Sequence, residues 1–407
     1  MTAVNHDELG AAGAAGPKLI EILPLMLIYA VGFMSATYIP VWVGAAARGY
    51  GVPTSTVGLI GSYELGAIAL STIVSAAIRT PTPSRIPIVA GLVVSIVFNA
   101  LAGFAPTLEI FTIALIIAAV ANGFLLAEVN GRAAACAVPA RVFTGQLFVM
   151  MSCATLFFAA VPRLLSTFGS GAPFLFSATA GVLALLSVIK LTTQGTKRVA
   201  RGAGGPFSIN ATSVLLLVSP TLLFISMNVL WPYIGPEASR AGVTLAEYSK
   251  ALSAGALINL VGPLISARLL KRRTSWTPVI LIGITALAIC TALATVVTNS
   301  TAFLSGITLI PFFLLIVVPF YLAMLTESDH SGKFVAVSSA FFMIGTAIGP
   351  GLGGISLKAM GLPGLALASI AAPVIALILL CHKVRFTNSC AQHGHRSSRR
   401  ATARANR

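Results

Sequence analysis

A carboxyl group set in the middle of an apolar run is the feature of this 407-residue sequence best placed to do chemistry. Glu64 is such a group, because the stretch from Thr54 to Ser75 holds no other charged residue. At 1.5 Å per residue it lies about 15 Å along a helix starting at Thr54, near the centre of a hydrocarbon layer roughly 30 Å thick. A charge at that depth costs several kcal/mol. Two readings follow. Glu64 is a proton-coupling group that exchanges a proton for a solute or for a second conformation, or it is a neutral acid hydrogen-bonded between helices as structural glue. Glu128 and Arg132 stand four residues apart near the end of another apolar run, so both fall on one helix face and an ion pair is expected. That pair is either a gate between two halves of the molecule or an ordinary interfacial salt bridge. Asn122, Asn228 and Asn259 lie at intermediate depth and, with Tyr38, form the candidate lining of a substrate cavity, although buried Asn also ties helices together. Trp42, Trp231 and Tyr233 lie toward span ends and suit an aromatic belt at the membrane surface, and Arg163 suits a snorkelling position.

The elements that must hold these residues are membrane helices. The chain is 57% hydrophobic and 9% charged, against about 25% charged in a soluble domain. Stretches of about 20 apolar residues predict twelve spans, in an N-terminal six-helix half over 19–191 and a C-terminal half over 209–382. Residues 192–208, rich in Gly and basic residues, read as a cytoplasmic linker, 1–18 as a disordered cytoplasmic N-terminal tail with no secretory signal pattern, and 383–407 as a basic cytoplasmic tail. With both termini inside, 21 of the 26 Lys and Arg residues fall on the inner side and 5 on the outer. That bias sets the orientation in the cytoplasmic (inner) membrane. It also explains the net charge of +16 without a nucleic-acid partner, and attraction of the tail to anionic lipid accounts for the rest. A weak internal repeat relates Arg79 to Arg268 and Gly66 to Gly255, two pairs with the same separation along the chain.

The run Gly262-Pro-Leu-Ile-Ser-Ala-Arg268-Leu-Leu-Lys271-Arg272-Arg273 resembles the glycine-plus-basic cytoplasmic loop of the major facilitator superfamily, and Gly345-Thr-Ala-Ile-Gly349-Pro350-Gly351-Leu-Gly353-Gly354 is similar to that family's glycine-rich eleventh span. The resemblance covers residues 19 to 382. It implies an all-α membrane fold of twelve helices in two halves and secondary transport by alternating access. The chain departs from the family's pattern after span two, where Arg79-Thr-Pro-Thr-Pro-Ser-Arg85 has no acid, and in span five, which has Ala159-Ala-Val-Pro162 in place of a glycine-proline motif. Family members that carry multiply charged anions typically use a buried cation, and no Lys or Arg falls at mid-depth here.

Pro40, Pro220, Pro232, Pro311 and Pro319 interrupt spans one, seven and ten, and proline-broken helices often line transporter cavities. There is no phosphate-cradling Gly-rich loop ending in Lys-Ser/Thr, so ATP is not the energy source. Cys136, Cys153, Cys290, Cys381 and Cys390 form no C-x-x-C pair, and neither a metal nor another cofactor is expected. The sequence therefore predicts a monomeric transporter, not an enzyme, whose partners are protons, the bilayer and a small neutral or cationic organic solute, with efflux favoured. A proton symporter for uptake, or a non-transporting sensor on the same fold, is the alternative.

Overall fold

The computed structural model describes residues 19–78, 84–134, 136, 139–191, 211–271, 276–328 and 333–405. The expected tail 1–18 and linker 192–208, with Arg272 and Arg273, lie outside them. Every regular element among the described residues is helical: α1 Leu19–Tyr50, α2 Thr54–Ile78, α3 Ile86–Gly103, α4 Leu108–Ala134, α5 Pro139–Phe168, α6 Ala172–Ser187, α7 Ala211–Leu230, α8 Ile234–Arg240, α9 Leu245–Ile258, α10 Val261–Lys271, α11 Trp276–Thr295, α12 Ser300–Ser328 and α13 Lys333–Ala405. Most are apolar on the outward as well as the inward face. Leu70, Ile113, Leu156, Ile282 and Ile378 are all exposed, and a helix that is hydrophobic all round belongs in lipid.

Among the described residues, ten helical segments are long and apolar enough to cross a membrane. Two of them, Arg141–Lys190 at 50 residues and Ala340–His382 at 43, have the length of two crossings, and each contains one glycine in the left-handed region, Gly169 (φ +60°) and Gly361 (φ +67°). Residues with a Cβ resist that conformation, so the chain turns there. Two other spans are built from pieces. A 3₁₀ turn at Trp231–Tyr233 separates α7 from α8, and residues 259–260 interrupt α9 and α10.

The repeat is visible in the element starts. Positions 19, 54, 86, 108 and 139 open α1 to α5, and the same succession recurs at 211, 245, 276, 300 and 333, which open α7, α9, α11, α12 and α13 with nearly constant displacement along the chain. The two halves share one apolar core at the upper end of the bundle, where α1 finishes and α2 begins. There Trp42, Val57, Phe111 and Phe174 of the first half pack with Tyr233, Ile234, Tyr248 and Phe303 of the second. At the opposite end the cores are separate. Ile22, Met26, Val188 and Leu191 belong to a cluster drawn from the first half alone, and Leu216, Ile280, Tyr321 and Leu380 to one drawn from the second alone.

Candidate functional site

A cavity of about 230 Å³ lies between the halves and is lined by residues of α1, α5, α7, α9, α12 and α13 together with Trp231. Its wall is apolar and sulfur-rich, with Phe33, Met150, Met151, Phe158 and Met227 facing Trp231 and Pro311. No lining residue is ionisable. Polar atoms come from Asn228, Asn259, Thr37, Thr308 and Thr346. The three threonine hydroxyls already donate to carbonyls of their own helices, at Phe33, Leu304 and Phe342. Such a surface accepts an uncharged solute, or a cation whose charge is spread over the aromatic faces.

Helix breaks expose some of these groups. Pro311 lies inside α12 and Pro220 inside α7, and Pro232 sits in the 3₁₀ turn that delivers Trp231 to the cavity roof. Asn259 follows the last residue of α9.

Above the cavity the halves are sealed by small residues. In the first arm of α13, Gly349 and Gly353 lie so close to α7 that a Cβ on either would strike Asn228 or the Val229 carbonyl. The other edge of that arm faces α2, where the Gly351 amide donates to Ser62 Oγ at 2.6 Å and Gly354 lies against the Ser55 carbonyl. The Tyr233 hydroxyl donates to the Pro350 carbonyl at 2.7 Å, and its ring rests where a Cβ on Gly58 would stand. Lower down, Ser253 of α9 donates to the Thr155 carbonyl of α5 at 3.0 Å.

Glu64 is fully buried in α2, with the Ser35 hydroxyl of α1 beside its carboxyl group. Glu64 does not reach the cavity. Helix α1 stands between them, presenting Ser35, Ile39 and Trp42 toward α2 and Phe33, Ala36 and Thr37 toward the cavity.

The remaining expected residues separate into groups. Asn228 and Asn259 line the cavity. Tyr38 and Asn122 are not among its lining residues. Tyr38 stacks on Phe157 at 3.7 Å within a cluster with Phe158 and Phe176, and Asn122 accepts from Ser95 Oγ of α3 at 2.7 Å. The aromatic belt is corrected, since Trp42 and Tyr233 are fully buried and Trp231 is 8% exposed. Depth along a helix follows from residue number, but the direction in which a side chain points depends on packing. Glu128 and Arg132 are paired at 3.6 Å, and Arg132 also donates to the Ser84 carbonyl in the segment before α3. Both contacts stay inside the first half. Arg268 lies exposed on α10, and Lys271 ends it.

Sequence reasoning passed over three features. Gln146 of α5 is 1% exposed with both amide atoms unpaired, one turn from Met150; an amide inside an apolar run was its signal. Glu237 is fully buried and accepts from Arg240 at 2.6 Å, a pair concealed by its place near a span end. The third is the place of Trp231 in the cavity wall, which its reading as part of an aromatic belt did not foresee. Among the described residues no group of His, Cys, Asp and Glu could hold a metal ion.

The membrane-length helices and the cavity among them make the protein a multi-pass membrane protein of the all-helical fold seen in transporters of the major facilitator superfamily. Solved structures bear this out. A bacterial homologue of the human lysosomal transporter Spinster, in an inward-facing and occupied conformation, superposes with a TM-score of 0.67 at 16% identity, over 91% of this chain and 98% of its own. The nucleoside transporter NupG gives 0.65 at 14% identity over 89% and 98%, and a D-xylose–proton symporter 0.64 at 13% over 88% and 97%. At these identities the likeness establishes the fold. No family model and no curated protein matches the sequence.

Proposed function

We propose that the protein is a secondary transporter that moves a small neutral or cationic organic solute across the cytoplasmic membrane by alternating access, coupled to protons through Glu64. The observation that carries this reading is the cavity between the halves, sealed above by the glycine contacts of α13 and flanked below by two separate cores. An inter-half cavity with one closed end is what alternating access requires, and the same fold serves transporters in the solved structures. The inner-side excess of Lys and Arg supports placing both termini in the cytoplasm, which makes this conformation inward-facing. The absence of ionisable lining residues supports a neutral solute or a diffuse cation.

The proton role rests on the burial of Glu64. An ionised carboxylate in hydrocarbon costs several kcal/mol, so release of a proton favours a conformation in which α1 and α2 part and water reaches the group. A lone acid outside the cavity suits alternation between proton and solute, and efflux by antiport is the favoured direction.

Filling the cavity tests the reading. Gly255 lines the cavity and a Cβ there would meet Thr308 at ordinary contact distance, 3.5 Å, so Gly255→Phe is the variant that brings a large side chain to the wall between α9 and α12. Solute flux into proteoliposomes is expected to fall at least tenfold in this variant while its melting temperature stays near that of the wild type. Undiminished flux through a folded Gly255→Phe protein contradicts the assignment of the cavity.

A further inference from the structure

We infer that the break between α9 and α10 at Asn259 is a hydrogen-bond-accepting subsite that holds the N–H or O–H donor of an otherwise apolar solute; this rests on the transport reading of the cavity. Asn259 lines the cavity and is 7% exposed, yet its amide oxygen has no hydrogen-bond partner. A buried acceptor left unpaired has lost its water without replacement, and a ligand donor removes that cost. The break adds a second acceptor. In a continuous helix the Asn259 carbonyl would accept from the amide four residues on, but that residue is Pro263, which has no N–H. The side-chain oxygen is thus unpaired and the backbone oxygen lacks its i+4 amide partner at the same residue.

The rest of the lining fits the same ligand. Asn228 has given its amide nitrogen to the Phe224 carbonyl at 2.9 Å, and its oxygen is uncommitted. The hydroxyl hydrogens of Thr37, Thr308 and Thr346 are spent on helix carbonyls, so those side chains present lone pairs. Apart from the amide hydrogens of the two asparagines and the indole N–H of Trp231 at the roof, the polar lining accepts. With no carboxylate in the cavity, recognition selects a donor rather than a positive charge, and the methionines and aromatic rings receive the apolar body.

A matched set of probes separates donor from charge: phenethylamine, phenethyl alcohol, ethylbenzene and trimethylated phenethylammonium, which keeps the charge and lacks the N–H. Thermal stabilisation of the purified full-length protein is read against probe concentration. The amine and the alcohol are expected to act at concentrations at least tenfold lower than ethylbenzene and the quaternary ion, and Asn259→Leu is expected to erase the difference. Pro263→Ala restores the missing amide and is expected to shrink the preference while leaving the melting temperature equal or higher, which keeps the test intact if Asn259→Leu fails to fold. Equal action of all four probes, no stabilisation by any, or an undiminished preference in both variants overturns the subsite. Flux without donor preference overturns it alone, whereas donor preference without flux in proteoliposomes overturns the transport reading alone.

Discussion

Glu64 and Glu237 are both fully buried, and their surroundings differ, since only Glu237 has a cation beside it. Glu237 accepts from Arg240, which also donates to the Ala294 and Val296 carbonyls near the end of α11. This is a structural clamp at the upper end of the second half. Removing the cation strands a buried charge, so Arg240→Ala is expected to destabilise the protein by about 3–5 kcal/mol, read as a large fall in melting temperature, whereas Arg163→Ala at an exposed position is expected to leave it unchanged. The asparagines divide in the same way. Asn122→Ala removes the bond from Ser95 and is expected to cost about 1 kcal/mol with solute preference intact, as measured by melting temperature alongside a solute competition assay. The depth of Glu64 was legible in its residue number, because rise per residue converts sequence into distance. The direction of Tyr38, Trp42 and Trp231 was not, because which face of an all-apolar helix meets lipid, a neighbour or a cavity depends on contacts made by residues far away in sequence.

At the scale of elements, the first arm of α13, before Gly361, is the part that seals the upper end of the bundle. Its glycines hold it against α7 of its own half and α2 of the other, and backbones this close leave no room for a side chain. Gly353→Leu would drive a side chain into Tyr233 and the Val229 carbonyl. It is expected to force the upper seal open, detected as labelling of a cysteine introduced at Ser62 by a membrane-impermeant thiol reagent added from outside; an unlabelled cysteine in the folded variant counts against the seal. The glycine run was visible in the sequence as a family resemblance. Its partners Ser55 and Ser62 were not, since nothing local to the run from Gly345 to Gly354 names a helix near the other end of the chain. The two helical segments that turn back at Gly169 and Gly361 and the span broken before Pro263 follow more directly from residue type, as positive φ favours glycine and proline withholds an amide.

Across the whole molecule, a shared core above and separate cores below describe two bodies hinged about the cavity. The recurring succession of helix starts makes those bodies alike, and composition alone placed them in a bilayer. The position of Glu64 behind α1 and outside the cavity wall was not readable from the pattern, because it depends on how α1 and α2 pack. The most direct measurement is solute-driven proton movement in proteoliposomes, recorded over a range of pH for the wild type and Glu64→Gln. The wild type is expected to move protons with the solute and to change its solute flux with pH. Glu64→Gln, which cannot ionise, is expected to lose the proton movement and to show a solute flux that no longer depends on pH. Unaltered proton-coupled flux in Glu64→Gln would contradict the account.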